Sequence, residues 1–170
     1  FDSRRENLVI VTVLYNAIPA QAGIHKICYY LPPKTSKECP MAKVVESKVK
    51  VRFEECDFYQ HVNNGVYNTY LDVGIGDFFR QMFPDLRTMT YMIHKVHASV
   101  DYMDSATFED ELIIKTSLEK VGDTSLTFYQ EIDKGETVIL KAKMIFVVMD
   151  YKTGHKCPIP KELADLAKIF

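Results

Sequence analysis

The segment ECDFYQHVNNGVYNTYL, residues 55–71, connects a stretch with the pattern of a strand to a stretch with the pattern of a helix. Before this segment, apolar residues alternate with charged ones, which predicts a strand with one buried face. The apolar members of that alternation are Val49, Val51 and Phe53. From Asn64 onward, apolar residues recur at helical spacing until Pro84, which predicts one long helix. The segment therefore holds a strand-to-helix turn in which polar residues cluster.

Four more strands and a short final helix are predicted downstream. We expect the strands at roughly 91–102, 109–120, 124–133 and 137–150, and the last helix at about 160–169. One strand, one long helix and a run of antiparallel strands predict an α+β fold in which a sheet covers a single helix. Because apolar side chains occupy much of the circumference of the long helix, we expect it to be buried on most sides.

Two glycines, Gly74 and Gly76, lie within the predicted long helix. Each glycine inside a helix costs about 1 kcal/mol relative to alanine. We therefore expect the sheet backbone to pass too close to the helix for a side chain at these positions. The alternative is a kink or a break in the middle of the helix.

Composition limits the class of protein. With 170 residues, 47% of them apolar, the chain suits one domain with a full core. A net charge of -2 and the absence of a run rich in Lys or Arg argue against nucleic acid as a partner. The four cysteines form no CxxC pair and no metal-ligand spacing with the five histidines. We expect a reduced, cytoplasmic protein without a metal site.

The first 40 residues differ in pattern from the rest. Residues 8–18, LVIVTVLYNAI, are nearly all apolar but fall short of the about 20 residues that span a bilayer, so we expect no membrane span. Two arginines before this run and the sequence PAQA after it loosely resemble a secretory signal. Against that, residues 29–40 are irregular and broken by prolines, and regular patterning begins at Met41. We interpret residues 1–40 as an extension outside the core fold and residues 41–170 as the functional domain.

The turn between the first strand and the long helix has residues suited to acyl chemistry. Asn63 or Asn64 is a good helix N-cap, and the helix start beyond it offers unpaired backbone N–H groups and the positive end of the helix dipole. Asp57 precedes this start by a short loop, so a carboxylate and an N–H that stabilises an oxyanion can meet at one acyl group. Asp57 would act as general base on water or as nucleophile, and both roles stay open.

The segment VRFEECDFYQHVNNGVYNTYL, residues 51–71, resembles the active-site segment of the hotdog-fold thioesterases of the 4-hydroxybenzoyl-CoA thioesterase type. It is most similar to the bacterial long-chain acyl-CoA thioesterases. The resemblance implies a five-stranded antiparallel sheet wrapped around one long helix. It also implies a homodimer paired edge to edge, with active sites at the subunit interface, and tetramers made of two such dimers. The implied reaction is hydrolysis of a medium- to long-chain fatty acyl-CoA, or of a carrier-protein thioester, without metal or organic cofactor.

The resemblance also implies roles for individual residues. Asp57 matches the catalytic carboxylate, and Asn64 lies where the family places the backbone N–H that polarises the thioester carbonyl. Tyr67 matches a tyrosine on the first helical turn, and we expect it to serve in packing or as a wall of the substrate pocket rather than as a proton donor. His61 and Asn63 match only the closer relatives; His61 would hydrogen-bond the loop or orient the thioester, and Asn63 would contact substrate or cap the helix.

Several alternatives remain at this level. Asp57 could be a plain turn residue, and the same fold could serve a noncatalytic acyl-CoA binding module or an acyl-thioester hydratase or dehydratase. Cys56 is not expected to act as a nucleophile, because neighbouring residues of a strand point to opposite faces. The relatives usually have proline where Ser105 stands, which puts the geometry of that turn in doubt. The cations that could contact CoA phosphates are not ranked by the sequence; they are Arg52, Lys95, Lys120 and Lys152.

Overall fold

The structure is a computed structural model that describes residues 44–83 and 85–169. The predicted extension, residues 1–40, and the proposed start at Met41 lie outside the described residues. The elements in chain order are β1 (Val44–Lys50), α1 (Asn64–Met82), β2 (Tyr91–Tyr102), β3 (Glu111–Val121), β4 (Ser125–Lys134), β5 (Thr137–Asp150) and α2 (Lys161–Ile169). Neither helix of this described part is long and apolar enough to cross a membrane.

The five strands form one antiparallel sheet in the order β1-β3-β4-β5-β2. β2 therefore lies at one edge of the sheet although it is second in the chain, and it pairs with β5 from Tyr91 to Tyr102 with one irregularity at Val96. α1 lies against one face of the sheet, where the Phe78 and Phe128 rings meet at 5.1 Å between centroids. The predicted α+β architecture of five antiparallel strands and one long helix is confirmed.

The end of the first strand differs from the prediction. β1 stops at Lys50, a 3-10 turn occupies Phe53–Glu55, and Phe53 is 77% exposed, so the prediction of a buried Phe53 on a continuing strand is wrong. The physical cause is a local hydrogen bond. The Glu55 carboxylate accepts the backbone N–H of Arg52 at 2.7 Å, which bends the chain out of the sheet immediately after Val51.

α1 buries one face rather than most of its circumference. The buried residues recur at helical spacing; they are Tyr67, Tyr70, Leu71, Ile75, Phe78 and Phe79. The opposite face is exposed and includes Thr69, Asp72, Val73 and Arg80. The expectation that the helix is covered on most sides is therefore wrong for this single chain, because the sheet reaches only one face.

The two helix glycines have different surroundings, and α1 continues unbroken through both. A Cβ atom on Gly74 would lie 2.6 Å from Thr116 Oγ1 and 2.7 Å from Gln130 Nε2, so the close neighbours are side chains of the sheet rather than its backbone. Gln130 is fixed there because its amide donates hydrogen bonds to Leu71 O and to Thr116 Oγ1, both at 2.9 Å. A Cβ atom on Gly76 would meet nothing closer than the Arg80 guanidinium at 3.6 Å, so the prediction of a close sheet is wrong there.

Candidate active site

The chain between the 3-10 turn and α1 forms a short two-rung ladder. At its base, Asn63 donates its backbone N–H to Glu55 O at 3.0 Å, and at its tip, Asp57 donates its backbone N–H to His61 O at 2.8 Å. Between these rungs, Cys56 and Val62 form an antiparallel bridge. The tip turns at Gln60, whose φ of 64° lies in the left-handed region. We call residues 55–63 the catalytic loop, after the predicted catalytic residue Asp57 that it contains.

Asp57 lies at the tip of the catalytic loop and is exposed. Its Oδ1 accepts the backbone N–H of Tyr59 at 2.8 Å, which orients the carboxylate through its own turn. Within the described part of the chain, no hydrogen bond uses Oδ2, so this oxygen is available to a water molecule or a substrate. An oriented carboxylate with one free oxygen is suited to general base or nucleophilic chemistry.

The start of α1 is capped by Asn63, whose side chain accepts the backbone N–H of Gly65 at 2.8 Å. The next residue, Asn64, is the first of the helix, and among the described residues its backbone N–H has no hydrogen-bond acceptor. The helix dipole adds a partial positive charge at this end. Asn64 therefore offers a backbone donor that can polarise a carbonyl oxygen.

The opposite wall of the site comes from the end of β2 and the turn after it. The Tyr102 hydroxyl donates to Asn64 O at 3.2 Å, and the Tyr67 hydroxyl accepts the backbone N–H of Ala106 at 2.9 Å. The Val62 N–H donates to Ala106 O at 2.8 Å, so the catalytic loop and this turn are joined directly. Burial raises the pKa of Tyr67, which keeps its hydroxyl neutral near pH 7.

These elements enclose an open cavity of about 360 Å³. It is lined by Asp57, His61, Val62, Asn64, Tyr67, Tyr102, Met103, Asp104 and Ser105. The cavity thus brings together four of the five residues predicted to form the site. The fifth, Asn63, caps the helix beside the cavity and is not part of this lining, so its contact with substrate stays a prediction.

His61 contributes to the cavity through its position next to Asp57 in the ladder. Its backbone pairs with Thr107 across the neighbouring turn, and its side chain is exposed. In residues 44–83 and 85–169 no hydrogen bond reaches its imidazole ring. The ring is free to contact a ligand, and its role in orienting a thioester stays a prediction.

The turn around Ser105 is held without a proline. Lys134 donates from Nζ to Ser105 O at 2.8 Å, and Asp104 Oδ1 accepts the backbone N–H of Ser105 at 2.7 Å. A second carboxylate, Asp110 Oδ2, accepts the backbone N–H of Thr107 at 2.8 Å. Side-chain hydrogen bonds therefore fix this turn on both sides of Ser105.

Sequence patterns did not indicate Tyr102, Met103 and Asp104 as site residues. Tyr102 was predicted only as the end of a strand, and nothing local indicates that this end lies beside the start of the helix. Asp104 brings a second carboxylate into the cavity. Such a pair of carboxylates is visible only after the sheet order is known.

Cys56 lies in the catalytic loop but does not line the cavity. It is half-buried, and its Sγ contacts Arg52 O at 3.9 Å. Among the described residues, no group of three or more His, Cys, Asp or Glu side chains could hold a metal ion.

Comparison with known proteins identifies the family to which this arrangement belongs. Residues 51–166 match the model of the thioesterase-like superfamily. The chain belongs to this superfamily. It is 26% identical over 125 residues to the long-chain acyl-CoA thioesterase FadM of Escherichia coli, covering 71% of this chain and 95% of that protein.

Solved structures agree with the family assignment. The structure of a predicted thioesterase from Bacillus stearothermophilus matches with a TM-score of 0.69 and 25% identity, covering 74% of this chain and 95% of that one. A 1,4-dihydroxy-2-naphthoyl-CoA thioesterase from Synechocystis matches with a TM-score of 0.65 at 16% identity, covering 73% of this chain and 94% of that one, which shows a shared fold. The resemblance to the hotdog-fold thioesterases is confirmed, and the thioesterase-like chain is a thioester hydrolase.

Proposed function

We propose that this thioester hydrolase acts on medium- to long-chain fatty acyl-CoA and releases free fatty acid and CoA. The observation that carries the proposal is that Asp57 and Asn64 line the same cavity. The similarity to a long-chain acyl-CoA thioesterase supports the choice of substrate class. The bound substrate could also be an acyl thioester of a carrier protein.

The proposed reaction assigns separate tasks to Asn64 and Asp57. The thioester carbonyl oxygen accepts the Asn64 N–H, which stabilises the negative charge that develops on this oxygen. Asp57 removes a proton from water as the new C–O bond forms, or it attacks the carbonyl carbon itself and the resulting anhydride is hydrolysed. In either route the C–S bond breaks, and CoA leaves as a thiolate that takes up a proton.

The charge of the cavity limits how CoA can bind. Its lining includes two carboxylates, Asp57 and Asp104, and no Lys or Arg from the described part of the chain. Phosphate groups would be repelled by this lining, whereas a neutral thioester and its pantetheine arm would not. We therefore place the CoA phosphates outside the cavity and only the thioester region within it.

We also propose that the active unit is a homodimer formed through β2. β2 is an edge strand, and residues 94–99 at its centre are all exposed, including Val96. An exposed edge of this length is a template for pairing with another strand. A tetramer of two dimers stays a further prediction.

The substrate proposal is tested by thiol release from a series of acyl-CoA substrates of C4 to C18 chain length, plus one aromatic acyl-CoA. We expect turnover that is highest for medium or long chains. Binding of a nonhydrolysable thioether analogue is measured in parallel. Binding of the analogue without turnover of any acyl-CoA would contradict the thioesterase proposal and favour the noncatalytic binding module.

The dimer proposal is tested by size-exclusion chromatography with light scattering. Val96→Lys puts a charge at the exposed edge, which should shift the protein toward monomer. Glu136→Lys, on the exposed turn between β4 and β5, is the control and should leave the mass unchanged. A wild-type protein that elutes as a monomer at micromolar concentration would refute the dimer.

A further inference from the structure

Glu55, at the base of the catalytic loop, is a buried carboxylate with every acceptor position in use. Its side chain is 8% exposed. Oε1 accepts Nε and Nη2 of Arg52 at 3.1 and 2.8 Å, and Oε2 accepts the Arg52 backbone N–H and the Tyr70 hydroxyl, both at 2.7 Å. A buried carboxylate is expensive unless it is paired and hydrogen-bonded, and here both conditions are met.

The partners of Glu55 belong to different elements. Arg52 follows the end of β1, and Tyr70 lies on the second turn of α1. The backbone oxygen of Glu55 accepts the N–H of Asn63, the helix cap. One residue therefore ties the end of a strand, the cap of the helix and the body of the helix together.

The two proposed catalytic groups are close in sequence to residues that these hydrogen bonds hold. Asp57 follows Glu55 by two residues on the same loop, and Asn64 follows the Asn63 cap directly. Glu55 is not among the residues that line the cavity, so we do not expect it to contact the substrate. Any effect of Glu55 on these two groups would pass through the hydrogen bonds that it makes with Arg52, Asn63 and Tyr70.

We propose that Glu55 is a positioning residue that sets the Asp57 carboxylate relative to the Asn64 N–H through its hydrogen bond with Tyr70. This proposal rests on the proposed acyl-CoA hydrolysis. A displacement of about 1 Å between reacting groups can cost about 10²-fold in rate even when it arises away from the chemistry. The hydrogen bond from the Tyr70 hydroxyl to Glu55 joins the catalytic loop to the body of α1. Removal of this hydroxyl therefore loosens the loop while the ring stays in the core.

The test is Tyr70→Phe, with Tyr129→Phe as its matched control. Tyr129 also donates its hydroxyl to a carboxylate, Glu131 Oε1 at 2.9 Å, but on β4 in the sheet. Both variants lose one tyrosine-carboxylate hydrogen bond and keep the ring. We expect Tyr70→Phe to lower kcat by about 10-fold or more with KM changed less than about 3-fold, because orientation rather than ground-state binding is lost. Tyr129→Phe should leave both constants at the wild-type values.

Amide hydrogen exchange read by mass spectrometry supplies a measurement that does not depend on activity. The N–H groups of Asp57 and Asn63 form the rungs of the catalytic loop, so their exchange reports its opening. We expect faster exchange over residues 55–63 in Tyr70→Phe and no change there in Tyr129→Phe.

The outcomes separate this proposal from the proposed function. If the wild type hydrolyses acyl-CoA, a kcat for Tyr70→Phe equal to that of Tyr129→Phe overturns the positioning role. If the wild type hydrolyses no acyl-CoA, the proposed function fails. Independently of activity, unchanged exchange over residues 55–63 in Tyr70→Phe would show that the Glu55–Tyr70 hydrogen bond does not hold the loop. A loss of melting temperature that is equal in the two variants, with no loss of kcat in either, identifies Glu55 as structural only.

Discussion

The Tyr102 hydroxyl donates a hydrogen bond to Asn64 O at 3.2 Å and so joins the end of β2 to the first residue of α1. These residues are 38 positions apart in the chain. The Tyr102 ring also meets the Tyr67 ring at 5.8 Å between centroids. The contact fixes one wall of the cavity against the other, so the Asn64 N–H donor has a defined position relative to the turn that follows β2.

Gly74→Ala should destabilise the protein. The new Cβ would lie within 3 Å of three groups, Thr116 Oγ1, Gln130 Nε2 and Ile114 Cγ2. Thr116 and Gln130 are hydrogen-bonded to each other and buried, so neither can move freely. Overpacking of this kind costs about 1–3 kcal/mol, against a gain of about 1 kcal/mol from replacing a helical glycine. Urea denaturation should show a net loss of up to about 2 kcal/mol.

Gly76→Ala is the matched change two residues along the same helix. Its Cβ would have the Arg80 guanidinium as nearest neighbour at 3.6 Å, which is ordinary contact. The helix-propensity gain then acts alone, and we expect stabilisation of up to about 1 kcal/mol. Equal effects of the two substitutions would contradict the close packing described at Gly74.

Gln60→Gly should stabilise the fold slightly. Gln60 has φ of 64°, a conformation that costs a residue with a side chain about 1–2 kcal/mol. Glycine relieves this strain but loses about 0.5–1 kcal/mol through a more flexible unfolded chain, so the net gain is up to about 1.5 kcal/mol. The control is Gln81→Gly in α1, which should destabilise by up to about 1 kcal/mol. A loss of stability in Gln60→Gly, seen by thermal or urea unfolding, would count against the turn geometry.

The stability contributed by Glu55 should depend on pH. Burial alone would raise the pKa of Glu55, but hydrogen bonds from the Arg52 side chain and backbone and from Tyr70 outweigh it, so the pKa lies below the ordinary value of 4.5. A group with a lowered pKa stabilises the fold fully above its unfolded pKa and loses that stabilisation as the pH falls through its folded pKa. Glu55→Gln should therefore lose about 1–3 kcal/mol at pH 7, and its deficit relative to wild type should shrink below about pH 4.5.

Glu54→Gln provides the control for this pH dependence. Glu54 contacts Arg52 Nη1 at 3.2 Å, but its side chain is 66% exposed. Exposed ion pairs contribute about 0–1 kcal/mol, so this variant should follow the wild-type curve closely. Urea denaturation at pH 7, 5, 4 and 3 separates the two positions, and a constant deficit of Glu55→Gln at every pH would show that its charge is unimportant.

The elements of this fold follow well from the sequence because each has a strong local signal. The strand-like stretches at 91–102 and 137–150, set off by turn sequences, predict β2 and β5 with their observed bounds. The asparagine pair before the apolar helical pattern predicts the start of α1. The proximity of Asp57 to the helix start also follows, since only a short loop separates them.

Other features depend on contacts that the local pattern does not contain. Phe53 fits the alternation of a strand, yet the strand ends early because the Glu55 carboxylate accepts the backbone N–H of Arg52. Gly74 and Gly76 look alike in sequence, and only the position of Thr116 and Gln130 across the sheet distinguishes them. Asp104 enters the cavity because β2 lies at the sheet edge, which the order of elements along the chain does not indicate.

We propose Asp57 as the reactive carboxylate of the cavity, and the deciding experiment compares kcat for Asp57→Asn with kcat for Asp104→Asn on the best acyl-CoA. The two substitutions remove the same charge from the same cavity. The two carboxylates are also matched in hydrogen bonding, since Asp57 Oδ1 accepts the N–H of Tyr59 and Asp104 Oδ1 accepts the N–H of Ser105. We predict a loss of about 10²- to 10⁴-fold for Asp57→Asn and a far smaller one for Asp104→Asn. An Asp57→Asn variant that retains wild-type turnover, or equal losses at the two positions, would contradict the account.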